Sequence, residues 1–420
     1  MKFINILRRI FFFILLFFIV FYFQKSLYAE NLDTEKVHRY LLSQQNFKSG
    51  LAKSFSNTFD RQLHNQSSTY DQALTAIAFL LLDDYRSAAK VLDFFKAHWN
   101  GLGYPNFFET QTGGRGIEST VHLGPNMWIA IACLQYDAFT GKRKYTDLAH
   151  KIAMWAAKLN HIDGGIAMGP FMDWAADWKY VLSAENNIDA YVVFNFLQKK
   201  FSNKFDQNLF SKEKFGIVSF LRKKIFSQKP RIPIGPDTDI MASDVLAFSI
   251  LAFSPEEFQI DLGLSVDEAL DIVESNFYIE SDEIAGYDFT DFESKETFER
   301  EPMISIEWSS MIAISYLKAA DYYKHLYSLS GKEEEKRRFD KYASRAKRIL
   351  DNLDKKALPY VRERIAYPYA TKSSEQVFPF APWWRTPTGG NQNKLAGSLA
   401  GTCWRLFAEK EFNPFEVYKK

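Results

Sequence analysis

Glu185-Asn186-Asn187-Ile188-Asp189 sets four polar side chains within five residues, and its two carboxylates stand at i and i+4. That spacing puts both on one face if a helix already runs through Glu185. Two carboxylates converging in this way can divide general acid and general base work between them. Five other short clusters carry comparable groups: Tyr70-Asp71-Gln72, His122 to Asn126, Asp237 through Asp244, Glu307-Trp308 and Gln392-Asn393. Asp, Asn and Ser are also ordinary helix N-caps, and acidic groups suit the positive end of a helix, so capping accounts for single positions. A cap needs only one short polar residue, however, and Glu185 to Asp189 supplies four.

Aromatic residues accompany these clusters: Trp99, Tyr104, Trp128, Trp174, Trp178, Trp308, Trp383 and Trp384. Tryptophan faces flanked by Asp, Asn and Gln suit a carbohydrate, whose rings offer a flat C–H face and a belt of hydroxyls. Each tryptophan alone reads equally well as core, and the Trp383-Trp384 pair, in a Pro-rich stretch, is the least core-like. Other chemistries lack a signature. The seven histidines follow no metal-ligand spacing, and there is no His-Glu-x-x-His, phosphate-binding glycine loop or Gly-x-Ser-x-Gly elbow. Asp237-Thr238-Asp239 is too short to define a cation site, so neither a metal nor a cofactor is expected.

Two kinds of helical segment must position these groups. One is amphipathic: Tyr145, Leu148, Ala149, Ile152, Trp155, Ala156 and Leu159 repeat at the 3–4 spacing of a single buried face, as do Phe339 to Leu353. Looser versions occur around Val37–Leu41, Ala88–Phe95, Val218–Ile225 and Val266–Val273. The other kind is apolar nearly all round: Ala73–Leu82, Trp128–Leu134, Ala190–Leu197, Val245–Phe253, Met311–Leu317 and Leu395–Phe407. A helix without a polar face is surrounded by protein. Six such helices alternating with six amphipathic ones predict an all-α (α/α)6 barrel, a toroid of six inner and six outer helices, with an open solenoid as the alternative. The polar clusters stand at the starts of the inner segments, so they gather at one end of the barrel.

Bulk properties agree with a neutral partner. The 420 residues carry 52 basic and 51 acidic groups, which gives no global field for nucleic acid. Cys133 and Cys403 lie in apolar helical runs and are expected to be unpaired, because the second and sixth inner helices are not neighbours in a ring. At the N-terminus, Lys2, Arg8 and Arg9 precede an apolar run from Ile10 to Phe23 and a small Ala29. This is the layout of a secretory signal over residues 1–29, or of an uncleaved inner-membrane anchor, and it places the single domain of residues 30–420 in the periplasm or outside the cell.

The chain resembles the six-hairpin glycosidase superfamily, the (α/α)6 toroids that include bacterial glycoside hydrolases, some polysaccharide lyases and sugar epimerases. The likeness is carried by Thr69-Tyr70-Asp71-Gln72-Ala73, Leu123-Gly124-Pro125-Asn126-Met127-Trp128, Asp163-Gly164-Gly165, Glu185 to Tyr191, and the closing Ala408-Glu409-Lys410-Glu411-Phe412-Asn413-Pro414-Phe415. Asn186 stands where a histidine is more usual. The resemblance implies a glycan-active protein with its cleft at the N-terminal ends of the inner helices. On that footing Glu185 is expected as the acid of a glycoside hydrolase and Asp71 or Asp189 as the base, with Tyr70, His122, Asn126, Trp128, Asn187, Asp244, Glu307, Trp308, Trp383 and Trp384 holding a poly- or oligosaccharide. Two other readings share the fold. A lyase or epimerase would draw on Tyr70, His122 and Arg115, and a glycan-binding envelope assembly protein would need no catalyst.

Overall fold

The computed structural model describes residues 32–170, 178–201, 203–281, 283–297, 300–360, 363–372 and 395–417. Residues Thr34–Lys420 form one compact unit. It contains six outer helices, α1 (Thr34–Gln44), α3 (Tyr85–His98), α5 (Thr146–Ala156), α7 (Lys204–Phe220), α9 (Val266–Phe277) and α11 (Glu333–Asp354), alternating with six inner ones. The inner helices are α2 (Thr69–Leu81), α4 (Leu123–Thr140), α6 (Ala184–Lys200), α8 (Ser243–Ala252), α10 (Ile306–Ser330) and α12 (Leu399–Glu409).

Inner helices pack in chain order, α2 on α4 and so on to α10 on α12, and α12 returns to pack on α2. The ring therefore closes, which an open solenoid cannot do. Helices α3, α5, α7, α9 and α11 each cover the inner helix that precedes them, and α1 lies against α12. Cys133 and Cys403 are buried and unpaired.

One outer helix departs from its expected place. The periodicity put it at Val218–Ile225, whereas α7 starts at Lys204 and the chain widens into a π turn at Leu221–Ile225. Its buried stripe is Asp206, Phe210, Glu213, Ile217 and Phe220, so two of five inward positions are acidic and hide the pattern. Histidines of the preceding hairpin make that burial tolerable: His150 Nε2 lies 3.1 Å from Asp206 Oδ2, and His161 Nε2 lies 2.7 Å from Glu213 Oε2. Partnering with Glu213 raises the His161 pKa above its ordinary value.

The short strands all sit in connections that lead from an outer to an inner helix. Gln66–Ser68 pairs with Phe107–Glu109, His161–Ile162 with Gly165–Ile166, and Tyr278–Ser281 with Ile284–Tyr287. A four-stranded sheet joins Phe55–Ser56, Gly397–Ser398, Arg364–Pro368 and Leu358–Tyr360. This end of the barrel, where the inner helices begin, thus carries the long loops. The opposite end is plugged. Phe415 packs 5.1 Å from Trp128 and 5.0 Å from Phe248, while Gln135 Nε2 donates to the carbonyls of Pro414 and Glu416, and Asn413 Nδ2 to that of Leu251.

A repeat that the letters conceal becomes visible in the helix register. The fourth residue of five inner helices clamps the backbone of the segment before it: Gln72 bonds both N–H and C=O of Ala52, Asn126 those of Tyr104, and Asn187 those of Ile166. Ser309 bonds both groups of Tyr287, and Thr402 takes the N–H of Tyr367. In α8 the same position is Leu246. Replacing Asn187 by Ala is expected to leave the Ile166 groups buried without partners, at about 1–3 kcal/mol each. Urea unfolding of that variant beside the native chain measures the loss.

Candidate active site

The second residues of the inner helices are Tyr70, Gly124, Glu185, Asp244, Glu307 and Ala400, equivalent positions around the end of the ring where the inner helices begin. Ser183 caps α6 by accepting the Asn186 N–H at 3.2 Å, so the helix does run through Glu185 and brings Asp189 onto the same face one turn below. Tyr70, Glu185, Asp244 and Glu307 lie close enough for each to feel charge on others of the set. Glu185 and Tyr70 are half-buried, whereas Asp71, Asp189, Asp244 and Glu307 are buried.

Five carboxyl groups from four inner helices therefore share one end of the barrel, and no cation of the described residues partners any of them. Desolvation raises every one. The Asp71 carboxyl is pushed up to about 7, that of Glu185 to about 7 and that of Glu307 to about 8, while those of Asp189 and Asp244 are held well above the carboxylate range. Mutual repulsion adds to the effect: Glu185 raises Asp189, Asp244 and Glu307, and Asp71 raises Glu307. Nearby hydrogen-bond donors oppose it in part: Ser54 at Asp71, Trp128 at Asp189, backbone N–H groups at Asp244 and Tyr70 at Glu307. The Trp404 indole donates to Tyr70 Oη at 2.8 Å, and the Tyr70 hydroxyl donates to Glu307 Oε1 at 2.7 Å, favouring the Glu307 anion.

That chain gives a direct expectation for Tyr70→Phe. Loss of a donor to a charged acceptor removes about 1.5–3 kcal/mol, so the Glu307 titration should move up by about one pH unit or more. Carbon-13 NMR of labelled glutamate carboxyls in the variant and the native protein reads the shift.

One turn deeper the sixth residues are Leu74, Trp128, Asp189, Phe248, Met311 and Trp404. The rings of Trp128, Phe248 and Trp404 lie 5.7 to 5.9 Å apart and fill the barrel beneath the mouth. Trp128 is thus interior packing and not the sugar platform expected of it. Asp189 lies in the same layer, with both carboxyl oxygens buried and lacking a hydrogen-bond partner, as is Asp244 Oδ1 in the layer above. Gly124 is glycine for a local reason: a Cβ there would come within 2.9 Å of Asn186 Oδ1 and 3.0 Å of Asp189 Oδ2. Asn186 accepts the Gly124 N–H at 2.6 Å and donates to Ser183 Oγ, which gives the asparagine a structural task tying α4 to α6.

The remaining expected residues divide. Asn126 and Asn187 are fully buried backbone clamps with their amide groups occupied, so neither presents itself to a ligand. Trp308 is buried against Phe289, with ring centres 4.9 Å apart. Asp71 bonds Ser54 and lies close enough to Cys403 and Glu307 for its charge to raise both. Trp174, Trp383, Trp384, Gln392 and Asn393 lie outside the described residues. His122 is placed at the rim, half-buried, where its Nδ1 accepts from Asn106 Nδ2 at 2.9 Å and its ring meets Trp178 edge-on at 4.7 Å. Burial lowers its pKa to about 4, so the imidazole is neutral, with an Nε2 that is buried and unpartnered among the described residues. The Tyr70–Glu307 bond and the His122–Trp178 contact escaped sequence reading because each joins distant segments.

No protein-family model and no curated protein matches the sequence. Solved structures do match in shape. A glycosidase, solved as a variant in complex with glucose, superposes at a TM-score of 0.59 with 12% identity, over 90% of this chain and 95% of that one. The cellobiose 2-epimerase of Bacillus thermoamylovorans gives 0.56 and 10% over 89% and 96%, and a sugar epimerase from a ruminal bacterium 0.60 and 12% over 89% and 95%. The fold is the six-hairpin toroid seen in these structures. At such identities the likeness establishes this six-hairpin architecture alone; the chemistry has to come from the mouth itself.

Proposed function

We propose that this six-hairpin protein is a glycoside hydrolase acting on a poly- or oligosaccharide through the carboxylates of the barrel mouth. The observation that carries the reading is the group of five carboxyls without a cation partner among the described residues. Burying acidic groups together costs stability, and such groups persist where chemistry needs their shifted pKa values.

Glu185 and Glu307 are the working pair. Burial raises both, and charge on Asp71 and on Glu185 adds a smaller rise at Glu307. Glu307 lies deeper and is pushed up further, even with the Tyr70 donor favouring its anion. Nothing among the described residues does the same for Glu185, which is also the one that solvent reaches. On access to solvent we assign Glu185 as the proton donor to the leaving oxygen, and Glu307, whose anion the Tyr70 hydroxyl favours, as the carboxylate that activates water or the sugar once it has lost its proton. This reading takes Glu307 in place of Asp71 or Asp189 as the base, because Asp71 is engaged with Ser54 and Asp189 is buried one turn deeper.

Lyase or epimerase chemistry finds less support. Tyr70 is held well above its ordinary pKa and already donates to Glu307, so it is a poor base at neutral pH, and Arg115 sits on an exposed loop beside Ser119. The basic-then-apolar N-terminus supports export or inner-membrane anchoring, which cell fractionation tests. The functional test is a glycan panel assayed in parallel for binding, reducing-end release and unsaturated uronate. Reducing-end release is expected. Unsaturated product or isomerised sugar moves the protein to the other reactions of this fold, and binding without turnover makes it an assembly protein.

A further inference from the structure

We infer that a second glycan site lies on the rim of the barrel, outside the mouth, in a cavity of about 460 Å³ between the turn after α1 and the face and end of α3. This rests on the glycan-active reading and extends it to a neighbouring surface. The volume is within the roughly 300–1,000 Å³ of small-molecule sites. Its position follows from topology, since α1 and α3 both end where the inner helices begin, the same end as Glu185 and Glu307.

Phe47 stands at the tip of this site with 79% of its surface exposed. The turn that displays it is rigid. Asn46 Oδ1 accepts the N–H groups of Lys48 and Ser49, and the Gly50 N–H donates back to the Asn46 carbonyl at 2.9 Å. Gly50 has φ +78°, and a Cβ there would lie 2.5 Å from the Lys90 carbonyl oxygen, so the turn is pressed directly onto α3. The facing loop is equally fixed: Glu109 Oε2 accepts from the Gln111 and Thr112 N–H groups and from the Thr112 hydroxyl. Ser49 Oγ donates to the Thr110 carbonyl at 2.5 Å and joins the two turns.

Between them lies an aromatic wall, the stacked Phe94 and His98 rings at 4.1 Å, with Lys48, Lys90, Gln111 and Thr112 around it. An exposed phenyl ring held on a preorganised turn, beside donors and acceptors set at the edge, matches a pyranose ring with its C–H face on Phe47 and its hydroxyls toward Lys90, Gln111 and Thr112. A rigid site of this kind would hold a glycan chain close to the mouth without taking part in bond cleavage.

Amide NMR of the full chain, titrated with cellobiose, maltose and a glucuronate-bearing disaccharide, tests this. At least one is expected to shift Lys48, Ser49, Gln111 and Thr112 in a saturable way, in the native protein and in Glu185→Gln alike. Phe47→Ala, an exposed change that leaves the core intact, should weaken those shifts by about tenfold or more while leaving shifts at Glu185 and His122 unaltered. Absence of saturable rim shifts with all three sugars, or equal shifts in Phe47→Ala, overturns the rim site. Loss of turnover alone would bear on the mouth and not on the rim.

Discussion

Glu185→Gln is expected to lower glycoside turnover by on the order of 10²-fold or more while leaving glycan binding within about threefold of native. The substitution keeps the size and hydrogen-bonding capacity of the side chain and removes only its titratable proton. Because Glu185 is half-buried and makes no hydrogen bond to a described residue, the fold does not lean on its carboxylate, so a fall in turnover reports chemistry. Comparing kcat with KM separates the two: a loss confined to kcat fits a proton donor, whereas a matching rise in KM would make Glu185 a binding group.

The second large effect is on stability against pH. Asp71, Glu185 and Glu307 have ordinary values of 3.8, 4.5 and 4.5, and the fold raises them to about 7, 7 and 8. The folded chain therefore holds more protons than the unfolded chain from about pH 4 to 8. Their contribution is fully present below the unfolded values and is lost as pH rises through the folded ones, at about 1.4 kcal/mol for each pH unit separating the two. Glu307→Gln, which can still accept the Tyr70 hydroxyl, removes one such group. Relative to native it should gain on the order of a few kcal/mol between pH 5 and pH 8 in urea unfolding. A difference that does not change with pH would show that Glu307 is not desolvated as described.

The double ring was legible in the sequence because burial on all sides and burial on one side leave different patterns, as α2 and α5 illustrate. The end that carries the site was legible too, since polar residues open apolar helices at Tyr70, Glu185, Asp244 and Glu307. What stayed hidden depends on register and on distance. The five clamp positions hold Gln, Asn, Asn, Ser and Thr, residues with one task and unlike letters, and the sixth equivalent position is Leu246. Helix α7 was misplaced because Asp206 and Glu213 face inward on the strength of histidines from another hairpin. Trp128 reads from the sequence as a sugar platform, whereas its ring packs among Phe248, Trp404 and Phe415. The Tyr70–Glu307 bond spans most of the chain, and no spacing rule reaches that far.

Glycan is expected to meet this protein at the mouth, over Glu185 and Glu307. A crystal structure of Glu185→Gln bound to whichever glycan the panel identifies measures it most directly. The expected result is a sugar ring over Tyr70 with a glycosidic oxygen within hydrogen-bond distance of the residue 185 amide and with Glu307 on the far side of the scissile bond. A glycan seated only elsewhere on the molecule, with the mouth carboxyls untouched, would contradict it.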